Sequence, residues 1–202
     1  MDGVQTSRDR LFRLAESQHG VFTTKQAVKV GYGRKTHAYQ VKVGHWLREH
    51  RGIYRLAHYH LDEETELVIW SLWARNREER PQGVYSHQTA LAIFELSDIN
   101  PSKLHMTVPR TFRRSSEIPS HLVLHDGELG KDAIEQREGY RLTTPLQTIH
   151  DVCREASISR DLVKQAISEA VTKGLISQRE KRAAQNSSDL PAWALKIFND
   201  LE

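Results

Sequence analysis

The stretch RKTHAYQVKVGHWLREHRGIYRL, residues 34–56, decides how the chain is read. Its first part carries apolar and aromatic positions at helical spacing and stops at Gly44, which predicts a helix from Arg34 to Val43. On a wheel of about 3.6 residues per turn, His37, Ala38 and Val41 fall together as the inward face. Lys35, Thr36, Tyr39 and Lys42 then point outward, with Arg34 at the helix start. The second part reads as two strands, about Trp46 to His50 and Ile53 to Leu56, joined by a tight turn at Arg51-Gly52. Period-two alternation predicts an apolar side with Leu47, Tyr54 and Leu56 and a cationic side with Arg48 and Arg55, Arg51 standing at the turn.

Upstream, Leu11, Phe12, Leu14 and Ala15 predict a first helix from Ser7 to about His19, with Ser7 as N-cap and Gly20 as stop. Val21-Phe22 is a short extended link. Thr23 or Thr24 caps a second helix reaching Val30, and Gly31-Tyr32-Gly33 supplies the turn into the third. Three short helices followed by a two-stranded ribbon is the element order of a winged helix-turn-helix. Downstream, acidic LDEETE suits a helix N-terminus and precedes an apolar helix from Leu67 to Arg75. Val84-Tyr85, Leu104 to Val108, Leu122 to Leu124 and Tyr140 to Leu142 read as strands, with a helix from Ser86 to Glu95 between the first two. Helices dominate from Pro145 onward, including Ser159 to Lys173 and shorter ones after Ser177 and near the C-terminus. The expected class is therefore α+β: a winged helix at residues 1–60, then a mixed α/β domain with a helical C-terminal tail at 61–202.

Charge follows the same division. Residues 1–60 hold 11 Lys+Arg against 4 Asp+Glu, a balance of +7; residues 61–130 hold 7 against 11, and 131–202 hold 11 against 11. A basic first third on a neutral to acidic remainder points to a nucleic-acid-facing module attached to a body with another task. No apolar run approaches the roughly 20 residues that cross a bilayer, and MDGVQTSRDR at the start is polar. A soluble, cytoplasmic chain without membrane or signal peptide is expected. A single Cys excludes an internal disulfide and a thiolate zinc cage.

The run Arg51-Gly52-Ile53-Tyr54-Arg55 after the three helices resembles the AbiEi antitoxins of bacterial type IV toxin–antitoxin and abortive-infection systems, which act in phage defence. Val84-Tyr85-Ser86-His87-Gln88-Thr89-Ala90-Leu91, LHMTVPR, Gly139-Tyr140-Arg141-Leu142 and TTPLQTIHDVC are similar to later elements of that family in the same order. The resemblance spans roughly residues 7 to 153. It implies a winged helix that binds inverted repeats of double-stranded DNA upstream of its own operon and represses it. It also implies a second domain, similar to a restriction-endonuclease-like core without its catalytic residues, that counteracts a nucleotidyltransferase-like toxin, often without a stable complex. In one respect the chain departs from the pattern: His37 and Gln40 stand where larger aliphatic residues are expected.

Major-groove reading needs hydrogen-bonding and cationic side chains on a rigid helix, with phosphate anchors around it. Lys35, Thr36, Tyr39 and Lys42 are the groove candidates, Arg34 at the helix start is a further DNA-binding candidate, and Arg48, Arg51 and Arg55 are the wing candidates for phosphate or the minor groove. Inverted repeats call for two copies, as a homodimer or by cooperative binding, with the C-terminal helices the candidate dimer surface. Eleven His raise the question of metal. The closest sets, His58 with His60, His121 with His125, and His150 with Asp151, lack further ligands at suitable spacing, so no metal or cofactor is expected. Ser86 and His87, as neighbours on a strand, would point to opposite faces and could not pair as nucleophile and base, leaving Ser86 as a helix cap. Cys153 reads as a small buried hydrophobe.

Asp126-Gly127-Glu128-Leu129-Gly130-Lys131 is the nearest string to a nuclease signature, at the wrong spacing. The chain is expected not to be an enzyme. The competing functions are a metal-dependent nuclease targeted by the winged helix and a stand-alone regulator that responds to a small molecule.

Overall fold

The structure is a computed structural model and describes residues 5–186 and 189–201. The chain divides into two compact units, one holding the described residues up to Gln82 together with Gln136–Tyr140, the other holding Gly83–Glu135 and the chain from Arg141 onward.

The first unit begins with α1 (Ser7–Glu16), β1 (Val21–Thr23), α2 (Thr24–Lys29) and α3 (Arg34–Lys42), followed by β2 (Trp46–His50), β3 (Ile53–Leu56) and α4 (Glu63–Trp73). The cap of α1 is Thr6 rather than Ser7. Its hydroxyl accepts from the Asp9 amide and the Asp9 carboxylate accepts from the Thr6 amide, a reciprocal box that Ser7, with Arg10 three residues on, cannot form. Thr23 and Gln26 close the same box on α2. The strands form an antiparallel sheet in the order β1-β3-β2.

One face of this sheet meets the three helices. Leu11, Ala15, Phe22, Ala27, Trp46 and Leu56 make the core, with Leu14, Val30, Tyr32, Val41, Tyr54 and Tyr59 packed around it. Phe22 stands edge-on to Trp46 with ring centroids 4.8 Å apart, the arrangement that aromatic quadrupoles favour. Gly20 is fixed by two constraints: φ is +79°, and a Cβ there would lie 2.2 Å from Cγ of Tyr59.

The sheet's register corrects the expected alternation of the ribbon. Arg48 lies opposite Tyr54 and Leu47 opposite Arg55, and directly opposed residues share a face. Leu47 therefore sits with Arg55, not with Tyr54. The Arg55 face carries Val21, Thr23 and Ile53 as well, and α4 packs against β1 and β3. Residues beyond the expected boundary at 60 thus belong to this compact unit. The connector after α4 adds polar ties: Thr23 Oγ1 donates to Glu79 Oε2 at 2.9 Å, and Arg75 donates to Gln18 Oε1 at 3.3 Å. The distant segment 136–140 joins through Gly139, whose φ is +82° and where a Cβ would meet Val68 Cγ2 at 2.7 Å.

The second unit is built on a five-stranded mixed sheet, ordered β6-β5-β4-β8-β7. Its strands are β4 (Val84–Tyr85), β5 (Leu104–Val108), β6 (Leu122–Asp126), β7 (Ile134–Gln136) and β8 (Arg141–Thr143). β7, with the 3-10 turn Lys131–Ala133 before it, lies where no strand is expected from the sequence. β4 runs antiparallel to β5 and parallel to β8, and β5 runs parallel to β6. The helices are α5 (His87–Ile93), α6 (Pro145–Glu155), α7 (Arg160–Thr172), α8 (Gln178–Gln185) and α9 (Ala192–Asp200). α6 starts with Pro145 at its first turn and buries Thr148, Ile149 and Val152. In the tail, Val163, Ala166, Ile167 and Ala170 of α7 and Ala194 and Phe198 of α9 are buried along one stripe each, the pattern of helices packing on one another. Among the described residues, no helix is long and apolar enough to cross a membrane.

Candidate functional site

α3 is oriented by its buried side. His37 is 4% exposed, hydrogen-bonds through Nε2 with the Tyr32 carbonyl at 3.3 Å, and packs on Trp46 at a ring separation of 5.3 Å. An imidazole thus does the job expected of an aliphatic residue, because its polar edge reaches a carbonyl and its face reaches an indole. Val41 completes the inward side, and Gln40 bonds His45 Nδ1 at 2.9 Å. Ala38, expected inward, is exposed and widens the outward face instead.

Arg34, Lys35, Thr36 and Lys42 are all exposed, and Tyr39 is 61% exposed with its ring in solvent. Thr36 spends its hydroxyl proton on the Gly33 carbonyl at 2.7 Å, closing the first turn of α3. Arg48 is exposed on β2, and Arg51 is exposed at the turn of the ribbon, where Gly52 has φ +79°. Among the described residues, none of Arg34, Lys35, Lys42, Arg48 and Arg51 forms an ion pair within 4.0 Å.

Arg55 differs from the rest. It is 7% exposed, its Nε donates to Glu49 Oε1 at 2.7 Å, and its guanidinium also donates to the Tyr59 carbonyl. Arg55 is therefore not a phosphate anchor; it holds the ribbon to the chain that follows it. The cause is the covering of the second sheet face by α4, which alternation within the ribbon does not reveal.

The second unit brings together side chains that sequence reading kept apart. Register places His105 opposite Val123 and Thr107 opposite His125, so His105, Thr107 and His125 share a sheet face. His125 Nε2 and His105 Nδ1 are 3.0 Å apart, a hydrogen bond between neutral rings. The His125 ring is stacked on that of His87, centroids 3.7 Å apart. Ser86 and His87 do bond, Oγ to Nδ1 at 2.9 Å, contrary to the strand argument. The reason is that the strand ends at Tyr85: Ser86 is the extended N-cap and His87 the first residue of α5, with φ +52°. Thr107 Oγ1 donates to Ser86 Oγ at 2.8 Å. Glu155, at the end of α6, brings its carboxylate to 3.5 Å from His125 Nδ1 and 3.9 Å from His87 Nε2.

Burial, reinforced by the neighbouring His125 and His105, depresses the His87 imidazole to about 3. His105 and His125 are also lowered, chiefly by burial, with Glu155 opposing the shift in both. Beside them Asp151, 7% exposed, is pushed up to about 6 by burial, although Gln147 donates to it at 2.8 Å. Burial likewise lifts the Cys153 thiol to about 11, which makes it a poor nucleophile, and the residue, read from sequence as a small buried hydrophobe, is half-buried. A cavity of about 590 Å³ opens beside His87, His125 and Glu155 and is flanked by Arg110, Asp126 and Arg154. The pairs weighed from sequence are not assembled into this group: His58 stacks on Phe12 in the first unit, and His121 is no part of it.

Comparison with known proteins bears on both units. No curated protein sequence matches the chain. The crystal structure of the RV2827C protein from Mycobacterium tuberculosis is similar over 95% of this chain and 77% of that one, with a TM-score of 0.55 and 15% identity, a likeness of fold alone. Residues 9–57, which run from α1 through the ribbon, match the family described as transcriptional regulator, AbiEi antitoxin. The segment that builds the helix-and-wing module of the first unit is thus similar to the AbiEi antitoxin family of transcriptional regulators.

Proposed function

We propose that the chain is a DNA-binding autorepressor and antitoxin of a type IV toxin–antitoxin system, acting without catalysis on DNA. The observation that carries this reading is the exposed, unpaired cationic set on α3 and the ribbon, Arg34, Lys35, Lys42, Arg48 and Arg51, held on a helix whose opposite side is locked by His37 and Trp46. α3 contains no acidic residue, so nothing on that helix repels phosphate. Thr36, Tyr39 and Ala38 supply hydrogen-bonding and apolar contacts for base edges in the major groove. The ribbon places Arg48 and Arg51 for the flanking phosphates. Two copies engage an inverted repeat upstream of the operon, and the second unit carries the action against a nucleotidyltransferase-like toxin. In this reading its five-stranded sheet is a restriction-endonuclease-like core whose acidic set is gone; Asp126, at the end of β6, is followed by a loop rather than by an acidic-x-Lys strand.

Footprinting on the chain's own upstream region tests the proposal. Protection of two symmetric half-sites is expected, with affinity falling against log salt at a slope of about −4 to −5 per copy if five phosphates are neutralised. No protected site, or a slope near zero, rejects it.

A further inference from the structure

We infer that the second unit holds a binding site for a borderline divalent transition-metal ion of the zinc class, with His87 Nε2, His125 Nδ1 and a Glu155 carboxylate oxygen as ligands. These three ligand atoms lie within 4.8 Å of one another. Donors around one tetrahedral ion, bound at about 2.0–2.2 Å, stand about 3.3–3.6 Å apart. Glu155 Oε1 is 3.5 Å from His125 Nδ1 and Oε2 is 3.9 Å from His87 Nε2, so a turn of the carboxylate, together with a tilt of the stacked His87 ring away from His125, brings one oxygen and both ring nitrogens into that range.

The second nitrogen of each imidazole is already engaged, and this distinguishes the group from three side chains that happen to meet. His87 Nδ1 bonds Ser86 Oγ, which Thr107 steadies in turn, and His125 Nε2 bonds His105 Nδ1. With a proton on His87 Nδ1 and another on His125 Nε2, the two lone pairs left over are those of Nε2 and Nδ1, the atoms that face Glu155. His105 accepts from His125 and serves as a positioning residue. The low basicity of the buried imidazoles keeps them neutral, as ligands must be, at ordinary pH.

The donor set chooses the ion. Two nitrogens and one oxygen suit zinc and its neighbours in the first transition row, whereas magnesium and calcium prefer oxygen alone. The supports are regular elements: His125 is on the edge strand β6, paired along its length with β5, His87 opens α5 and Glu155 closes α6. Three protein ligands leave a coordination position free, and the cavity flanked by Arg110 and Arg154 adjoins it, so the position is open to water or to a small anion.

The site is independent of DNA binding, and its test reads metal alone. Tag-free full-length protein, stripped with a chelator, is titrated with Co²⁺ and followed by visible absorption, with Zn²⁺ as competitor. One equivalent is expected to give the d–d bands of a four- or five-coordinate ion and to be displaced by one equivalent of Zn²⁺. Glu155→Gln, at a position more than a third exposed, preserves the fold and is expected to weaken binding at least tenfold. His125→Ala abolishes the bands, and His105→Gln weakens binding by about 10- to 100-fold while leaving their number and position unchanged. His60→Ala, in the first unit, has no effect. Absence of stoichiometric binding by the wild-type protein, undiminished affinity in Glu155→Gln, or loss of binding in His60→Ala overturns the inference.

Discussion

Arg51 and Arg55 lie four residues apart in one ribbon, yet one is free in solvent and the other is a structural tie. The contrast between the cationic face of the first unit and the histidine group of the second is the same contrast on a larger scale. On α3, charge is spread over an exposed helix surface and each side chain acts almost alone. Around His87, the side chains that meet come from four different elements, and burial sets the protonation state. Exposed charge confers affinity that salt can screen, whereas a buried polar group confers geometry that fails as a unit.

The largest expected effect follows from Arg55. Truncation to Ala leaves Glu49 without its partner and the Tyr59 carbonyl without a donor, which costs about 3–5 kcal/mol, the range for breaking a buried ion pair. Arg51→Ala touches nothing buried and leaves unfolding unchanged, while lowering the salt slope of DNA binding by about 0.9. Denaturant unfolding and a salt titration of both variants separate the two roles. Equal stability of the two proteins would return Arg55 to the surface set.

How far the sequence reveals these features depends on whether their causes are local. The helix expected at 34–43 is α3 at Arg34–Lys42, and the strands 46–50 and 53–56 are β2 and β3, because helical spacing and a glycine turn act within a few residues. The face of the ribbon that carries Arg55 is not legible from alternation, because it is decided by α4, which packs on the sheet's far side. The histidine group is hidden in the sequence for a similar reason. Its members come from α5, β5, β6 and α6, and only the parallel register of β5 with β6 brings Thr107 level with His125. A signal did exist at Ser86-His87: the strand-to-helix junction there requires a turn, and a turned residue no longer obeys strand alternation.

A pH response of intermediate size distinguishes the buried group from the exposed one. Burial holds His87 at about 3 in the folded protein, against 6.5 for an ordinary imidazole. Below pH 6.5 the unfolded chain takes up a proton that the folded site refuses. Stability is thus complete above 6.5 and is lost as pH falls toward 3, by up to about 1.4 kcal/mol per pH unit. Asp151 acts in the opposite sense between about 6 and 3.8, since its raised carboxyl protonates first in the folded state and offsets part of the loss. Hydrogen exchange of α5 and α6 amides in metal-free protein, compared at pH 7.5 and 5.5, should show faster exchange at the lower pH. His87→Gln should flatten that response; an undiminished one would assign the acid sensitivity to other groups.

The smallest effect tests the independence claimed for the α3 face. Lys35 and Lys42 are one turn or more apart, exposed, and without an ion pair among the described residues. Each Ala substitution should reduce the salt slope of operator binding by about 0.9 and the double variant by about 1.8, because separated phosphate contacts release counterions additively. Unfolding midpoints should not move. A double variant that loses no more than either single one would mean that only one of the two lysines faces the duplex, so that α3 enters the groove tilted, with one end lifted from the phosphates.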